Sequence, residues 1–134
     1  MIVLDASVVL KWLFDDEGGS DRAARLRDDH IAGHAVVAVP DLLFYEVGNV
    51  LTTRTRLPDA AVSEAFSLLW DFGLERFDLG LEEFQGALTM ARKYRITLYD
   101  AAYLELSRRL RCPFVTADRK LYEKVKSSKH VMLL

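Results

Sequence analysis

Short apolar runs alternate along this chain with longer segments in which apolar residues recur at helical spacing. The short runs are rich in β-branched residues and predict strands at residues 1–4, 35–39, 113–116 and 130–134, while an alternating pattern predicts another strand at 75–79. The longer segments predict helices at residues 6–14, 20–29, 42–54, 60–72, 81–94, 100–110 and 118–126. This alternation predicts an α/β fold with a mainly parallel sheet of four to five strands, covered by helices on both faces.

Several of the predicted helices start with residues that favour an N-terminus. Ser20 and Asp41 stand where their side-chain oxygens would accept a hydrogen bond from a free backbone N–H of the helix that follows. Pro58 and Asp59 open the next helix, because proline lacks the N–H that a first turn leaves unpaired. No repeat or long linker divides the chain, so residues 1–134 are expected to form a single domain.

The composition is typical of a protein of the cytoplasm. Hydrophobic residues make up 51% of the 134 residues and charged residues 28%, which favours a globular chain over a disordered one. The single Cys112 excludes an intramolecular disulfide, as expected in a reducing compartment. No apolar stretch reaches the roughly 18 residues that cross a bilayer, and the N-terminus has no basic signal-peptide flank. No membrane association is expected.

The charge is unevenly distributed, although the formal net charge is only −2. Residues 1–67 hold 6 Lys or Arg and 11 Asp or Glu, whereas residues 68–134 hold 12 and 9. This asymmetry would place basic side chains around an acidic centre, but it is far weaker than that of a dedicated nucleic-acid-binding protein. Charge alone therefore assigns no partner.

Two carboxylates follow predicted strands directly. Asp5 ends the apolar run of residues 1–4, and Asp118 comes straight after the run of residues 114–117 and starts a helix. Because the carboxyl ends of parallel strands meet at one edge of a sheet, these two side chains are expected to lie close together.

A third carboxylate, Glu46, lies inside a predicted helix on or beside its apolar stripe. Leu42 and Leu43 precede it by four and three residues, and Val50 follows by four. No Lys or Arg stands at these distances to pair with it on the same helix, and Asn49 lies one turn on. A carboxylate in such surroundings is costly to desolvate unless something pairs with it.

The fourth carboxylate, Asp100, precedes an apolar helix start at residues 101–104. An ordinary explanation exists for three of the four, because Asp is a good N-cap worth about 1 kcal/mol. Taken singly, Asp100 and Asp118 are better interpreted as helix caps, and Asp5 can be interpreted in the same way. The functional interpretation therefore depends on the four acids meeting.

Several carboxylates in one partly dry pocket raise one another's pKa and destabilise the fold, and a bound divalent cation relieves that repulsion. An all-oxygen ligand set suits Mg²⁺ or Mn²⁺. The histidines His30, His34 and His130 show no metal-site spacing and Cys112 stands alone, so a zinc site is not expected.

Four segments of the chain resemble the PIN-domain nucleases and, within them, the VapC toxins of bacterial toxin–antitoxin pairs. The segments are residues 3–8, 40–51, 98–103 and 115–121. They span nearly the whole chain in the order and spacing of that family. The resemblance implies a three-layer α/β/α sandwich and an active site that holds Mg²⁺ or Mn²⁺.

The resemblance also implies roles for individual residues. Asp5, Glu46 and Asp100 match the three core acids, and Asp118 matches a more variable fourth, so all four are candidate catalytic residues and metal ligands.

The hydroxyl residues Ser7 and Thr116 match positions beside these acids and are expected to support a carboxylate or a metal-bound water, as is Asn49. Ser7 stands where many relatives have Asn. The alternative is local capping of the backbone by both hydroxyls.

The implied function is that of a metal-dependent endoribonuclease toxin. It would hydrolyse RNA phosphodiesters, in tRNA or rRNA, through a metal-activated water, bind a VapB-like antitoxin and form a homodimer. Candidate RNA-binding residues are Arg92, Lys93, Arg95, Arg119 and Lys120. The alternative is that these residues only occupy solvated helix faces and helix C-termini, where cations are favourable.

Two other functions share part of this pattern. A phosphatase of the haloacid-dehalogenase type also begins with a strand ending in Asp, but it requires a second Asp two residues later, where this chain has Ser7. A catalytically idle PIN-like module that binds RNA or protein remains open, because intact acidic positions do not prove turnover.

Overall fold

The computed structural model describes residues 1–14 and 18–134, and the centre of this part of the chain is a parallel sheet. Its strands are β1 (Ile2–Leu4), β2 (Val37–Pro40), β3 (Glu75–Phe77), β4 (Phe114–Thr116) and β5 (Val131–Leu133). They lie in the order β3-β2-β1-β4-β5, and all neighbouring strands are parallel. The predicted parallel sheet is confirmed.

Helices connect each strand to the next. They are α1 (Ala6–Leu13), α2 (Ser20–Ile31), α3 (Leu42–Thr53), α4 (Asp59–Asp71), α5 (Leu81–Tyr94), α6 (Leu98–Leu110) and α7 (Arg119–Val125). Right-handed crossovers place α1 to α4 on one face of the sheet and α5 to α7 on the other, and α1 packs on α2 and α3 while α5 packs on α6. The α/β/α sandwich is therefore confirmed. None of the helices described is long and apolar enough to cross a membrane.

The central strand is β1, whose residues Val3 and Leu4 are fully buried. Val3 pairs with Ala38 of β2 on one side and with Phe114 of β4 on the other. A strand buried on both faces reads as a continuous apolar run, which explains why this segment shows no alternation. From β1 the chain proceeds outward to β2 and β3, then returns to the other side of β1 for β4. Ligands bind at such a switch point in open α/β sheets.

Two of the predicted helix caps are wrong. Asp41 precedes α3 but its side chain accepts no capping hydrogen bond, and it lies instead 3.7 Å from the guanidinium of Arg76. Gly19 occupies the N-cap position of α2 with a left-handed φ of 88°, which makes Ser20 the first helical residue rather than the cap. Strand β2 also starts two residues later than predicted and includes Pro40, which pairs with Phe77 of β3.

A buried carboxylate of α6 lies against α5 and is paired with two arginines of its own helix. The carboxylate of Glu105 is fully buried and accepts hydrogen bonds from Arg108 at 2.7 and 2.9 Å and from Arg109 at 2.8 Å. Burial raises the pKa of Glu105, but the hydrogen bonds from the two guanidinium groups outweigh it and hold this pKa below its usual value. Gly86 of α5 lies opposite. A Cβ there would lie 2.8 Å from Glu105 Oε2 and closer still to Oε1.

We expect Gly86→Ala to lower the free energy of unfolding by about 1–3 kcal/mol, because the added methyl group would displace the buried Glu105 carboxylate. The same substitution in a helix normally stabilises by about 0.5–1 kcal/mol. Gly48→Ala in α3 is the matched control, since its Cβ would only reach ordinary contact at 3.4 Å from Phe66. Urea unfolding of both variants measures the difference. Equal stabilisation of the two would contradict this assignment.

Candidate active site

The Asp5 carboxylate is held between the ends of the two central strands. It directly follows β1 and is 6% exposed. Its Oδ1 accepts hydrogen bonds from the backbone N–H of Ser7 at 3.0 Å and from the Ser7 hydroxyl, and its Oδ2 accepts one from the hydroxyl of Thr116 at 2.5 Å. Asp5 therefore caps α1 through Oδ1, which is the alternative that its position in the sequence allowed. Its other oxygen, Oδ2, accepts a hydrogen bond from Thr116 at the end of β4.

The two hydroxyl groups also fasten the turn that follows β4. The N–H of Ala117 donates to Ser7 Oγ at 2.8 Å, and the N–H of Asp118 donates to Thr116 Oγ1 at 3.1 Å. Each hydroxyl thus accepts from the β4–α7 turn while it donates its single hydrogen to Asp5. Because each hydroxyl bonds both Asp5 and the backbone beside Asp118, the two hydroxyls fix the position of Asp5 relative to Asp118. Their role therefore extends beyond local capping of the backbone.

Glu46 reaches the site from α3 and is paired with a tyrosine of α6. The hydroxyl of Tyr103 donates to Glu46 Oε1 at 2.6 Å. Tyr103 is 1% exposed, and its ring stacks on that of Phe114 of β4 with centroids 6.0 Å apart. Tyr103 was not among the predicted site residues. The available signal was a tyrosine in an apolar helix start, because a buried phenol needs a polar partner.

Asp100 does not cap α6, so the capping interpretation of this residue is wrong. The helix begins at Leu98, and the hydroxyl of Thr97 caps it by accepting the N–H of Asp100 at 3.1 Å. Asp100 therefore lies within the first turn. Asp118 does cap its helix, since Oδ1 accepts the N–H of Leu121 at 3.1 Å.

One cavity of about 350 Å³ brings the four acids together. Its polar lining consists of Asp5, Glu46, Asp100 and Asp118, with Ser7, Asn49, Tyr103 and Arg54. The convergence predicted from the order of strands and helices is thus present in the structure. Asn49 lines the cavity, while its backbone oxygen accepts from two threonine hydroxyls. Arg54, at the end of α3, was not anticipated.

Burial and the charge of neighbouring acids raise the pKa values of three acids of this cavity, Asp5, Glu46 and Asp100. Burial raises the pKa of Asp5 to about 6, against hydrogen bonds from Ser7 and Thr116 that lower it, and the charge of Asp100 adds to the rise. Burial also raises the pKa of Glu46, opposed by the Tyr103 hydrogen bond and reinforced by Asp100.

The same pattern extends to the first turn of α6. Burial raises the pKa of Asp100, and the charge of Asp118 adds to it, while Thr97 and Lys124 act in the opposite direction. Burial and the neighbouring Glu46 hold the pKa of Tyr103 well above its usual value, so its phenol remains a hydrogen-bond donor.

The predicted RNA-binding residues divide into two groups. Arg95 and Lys120 line a second cavity, which shares two of the acids with the first. Arg92, Lys93 and Arg119 are exposed and line neither of these two cavities. The structure thus leaves Arg95 and Lys120 as the candidates near the acids.

Known proteins share the sequence pattern and the fold of this chain. A family model described as PIN domain matches residues 2–126. The chain belongs to the PIN-domain family. The chain is also similar to the ribonuclease VapC3 of Pyrobaculum aerophilum, with 32% identity over 127 residues, which cover 92% of this chain and 93% of that protein.

Solved structures share the PIN-domain fold. A protein from Pyrobaculum aerophilum has a TM-score of 0.72 at 23% identity, and the match covers 98% of this chain and 89% of that one. A toxin–antitoxin complex from Klebsiella pneumoniae also has a TM-score of 0.72, at 12% identity, and the match covers 98% of this chain and 96% of that one.

The donor set of the acidic cavity fits a hard divalent cation. Carboxylate oxygens are the ligands that Mg²⁺ and Mn²⁺ prefer, and a cation would relieve the repulsion that raises the pKa values of Asp5, Glu46 and Asp100. Within the described residues, no three acidic, histidine or cysteine side chains are arranged to hold an ion by themselves. Water is expected to supply the remaining ligands, as is usual for Mg²⁺.

We expect Asp5→Asn to gain stability relative to the wild type as the pH rises. The folded pKa of Asp5 is about 6 and its ordinary value is 3.8, so ionisation opposes folding. The penalty is absent below about pH 4, grows between pH 4 and 6, and reaches about 3 kcal/mol above pH 6. Asn carries no such penalty.

The measurement is urea unfolding in EDTA at pH 4 and pH 7.5, with the exposed Asp71→Asn as the control. The stability difference between Asp5→Asn and wild type should move in favour of the variant by about 3 kcal/mol between these pH values. A difference that does not change with pH would contradict the assignment.

We expect Tyr103→Phe to cost about 1–3 kcal/mol at pH 8, because it removes a buried hydrogen bond to an ionised carboxylate. It should also raise the pKa of Glu46 further, since the tyrosine hydroxyl lowers that pKa. The cost should shrink at pH 4, where Glu46 is protonated. Carbon-13 NMR titration and urea unfolding measure both effects, and an equal cost at the two pH values would count against this role.

Proposed function

We propose that this PIN-domain protein is a metal-dependent endoribonuclease that uses Mg²⁺ or Mn²⁺ and acts as the toxin of a toxin–antitoxin pair. The observation that carries the proposal is the single cavity lined by Asp5, Glu46, Asp100 and Asp118, in which three of the acids have raised pKa values. The relationship to a ribonuclease VapC supports RNA as the substrate class.

Asp5, Glu46 and Asp100 would hold the cation, directly or through water. When bound, the ion supplies positive charge to a phosphate oxygen and lowers the pKa of a bound water. Ser7 and Thr116 keep the Asp5 oxygens in place by donating hydrogen bonds to both of them.

Tyr103 and Asp118 would position other groups of the site. Tyr103 holds the Glu46 carboxylate through its hydroxyl, and Asp118, whose Oδ1 caps α7, would orient the attacking water. The water oxygen would form a bond to phosphorus and lose a proton to solvent, while the bond to the 3′ oxygen breaks and that oxygen takes up a proton from solvent. The products carry a 5′-phosphate and a 3′-hydroxyl.

The partners follow from the same proposal. A VapB-like antitoxin is supported by the fold shared with a toxin–antitoxin complex from Klebsiella pneumoniae. A homodimer and a tRNA or rRNA target stay predictions of the family resemblance. Light scattering of the purified chain tests the first, and sequencing of RNA 5′ ends after a pulse of expression tests the second.

We expect Asp100→Asn to reduce RNA cleavage by at least the roughly 10- to 100-fold that follows loss of a metal ligand's supporting partner. Purified variant and wild type are compared on a single-stranded RNA with Mn²⁺ or EDTA, with Asp71→Asn as the control of equal charge change. Cleavage should require Mn²⁺ and survive in the control.

Two results would contradict the proposal. Equal cleavage by Asp100→Asn and wild type would show that the nuclease activity lies elsewhere. Absence of cleavage by wild type on any cellular RNA, together with harmless expression, would favour the idle RNA- or protein-binding module.

A further inference from the structure

The acidic cavity continues at both ends into cavities that carry basic side chains. A cavity of about 750 Å³ shares Ser7, Leu10, Val50 and Arg54 with it and adds the basic residues Lys11 and Arg56. A cavity of about 270 Å³ shares Asp100 and Asp118 with it and adds basic residues of two other elements. These are Arg95, Lys120 and Lys124. The order across the surface is therefore basic, acidic, basic.

The basic side chains on both sides are available to a ligand. Among the described residues, no carboxylate lies within ion-pair distance of Arg54, Arg56, Arg95 or Lys120. Arg76, Arg108 and Arg109, in contrast, are paired with acids. Two lysines that line these cavities have a described bond: Lys11 donates to the backbone oxygen of Gly18 at 2.8 Å, and Lys124 donates to that of Arg95 at 3.2 Å. Lys11 is not counted among the side chains available to a ligand.

We infer that Arg54 and Arg56 on one side, and Arg95, Lys120 and Lys124 on the other, bind backbone phosphates of one single-stranded RNA that lies across the acidic cavity. This inference rests on the proposed ribonuclease function and names its substrate-positioning residues. The phosphate to be cleaved would lie over the acids, and its neighbours on either side would lie in the basic cavities.

Electrostatics explain why both sides are needed. The acids repel a polyanion, and a bound cation offsets that repulsion only where it sits. The flanking phosphates therefore depend on cations supplied by the chain. Such basic side chains fix the register of the strand without reading its bases, so their removal should weaken binding to all sequences alike.

The basic residues come from separate parts of the chain, which is why sequence order did not reveal them as a group. Arg54 ends α3 and Arg56 lies in the turn before α4. Arg95 follows α5 with a left-handed φ of 56°, and Lys120 lies in the first turn of α7. Only the fold brings them to the cavities on the two sides of the acidic cavity.

The test uses two double variants, Arg54→Gln/Arg56→Gln and Arg95→Gln/Lys120→Gln. The matched control is Arg22→Gln/Arg25→Gln, which removes equal charge from exposed positions of α2 outside these cavities. All are made in an Asp100→Asn background, and binding of a fluorescein-labelled single-stranded RNA is followed by anisotropy at several salt concentrations. Melting temperatures verify that each variant folds.

Each site variant should bind RNA about tenfold more weakly than the control. The slope of log affinity against log salt should become shallower by about 0.7 for every phosphate that the variant no longer neutralises. An RNA shortened at one end should bind one of the site variants as tightly as it binds the control. An RNA shortened at the other end should do so with the other site variant. The control should behave as its parent in all cases.

Three results would overturn the inference. If wild type cleaves RNA and both site variants bind it as tightly as the control does, the basic residues do not bind the RNA and the inference is wrong, while the proposed function stands. If polyglutamate binds as tightly as RNA and its binding is abolished in the same variants, the surface is a docking site for acidic proteins. If wild type neither binds nor cleaves RNA, both the inference and the proposed function fail.

Discussion

The burial of the Asp5 carboxylate at the end of the central strand is the constraint on which the site depends. A carboxylate that is 6% exposed needs partners, and the chain supplies the hydroxyls of Ser7 and Thr116 from the two elements beside it. Those bonds do not cancel the cost of burial, since the pKa of Asp5 still rises to about 6. A fold that places such a group in one cavity with three other acids favours a positively charged ligand there.

The strand order explains how acids from distant parts of the chain come to share one cavity. Asp5 follows β1 and Asp118 follows β4, and these strands are neighbours because the chain changes direction between them. Helices from opposite faces of the sheet then reach over the same edge. The Tyr103 hydroxyl joins the two layers by its bond to Glu46, and stacking on Phe114 holds the ring in place. The position of the Glu46 carboxylate in this site is thus set by side chains packed in the core.

Much of this arrangement could be predicted from the sequence, because an apolar run ending in Asp is a local signal and parallel strands share an edge. The closeness of Asp5 and Asp118 followed from that alone, whereas the inclusion of Glu46 and Asp100 in the same site was implied by the family resemblance. Contacts between distant helices did not follow, and Tyr103 lies 57 residues from its partner Glu46. The capping alternative for Asp100 is wrong because Thr97, three residues earlier, caps the helix in its place. Glu105 gave no signal, since its burial depends on Gly86 of another helix.

We propose that these acids form one site for a divalent cation. Crystals of the protein grown with Mn²⁺ and measured at a wavelength where manganese scatters anomalously test it most directly. We expect an anomalous difference peak in the cavity between Asp5, Glu46 and Asp100, and no peak there in crystals of Asp5→Asn. A well-occupied peak elsewhere with none in this cavity would contradict the claim.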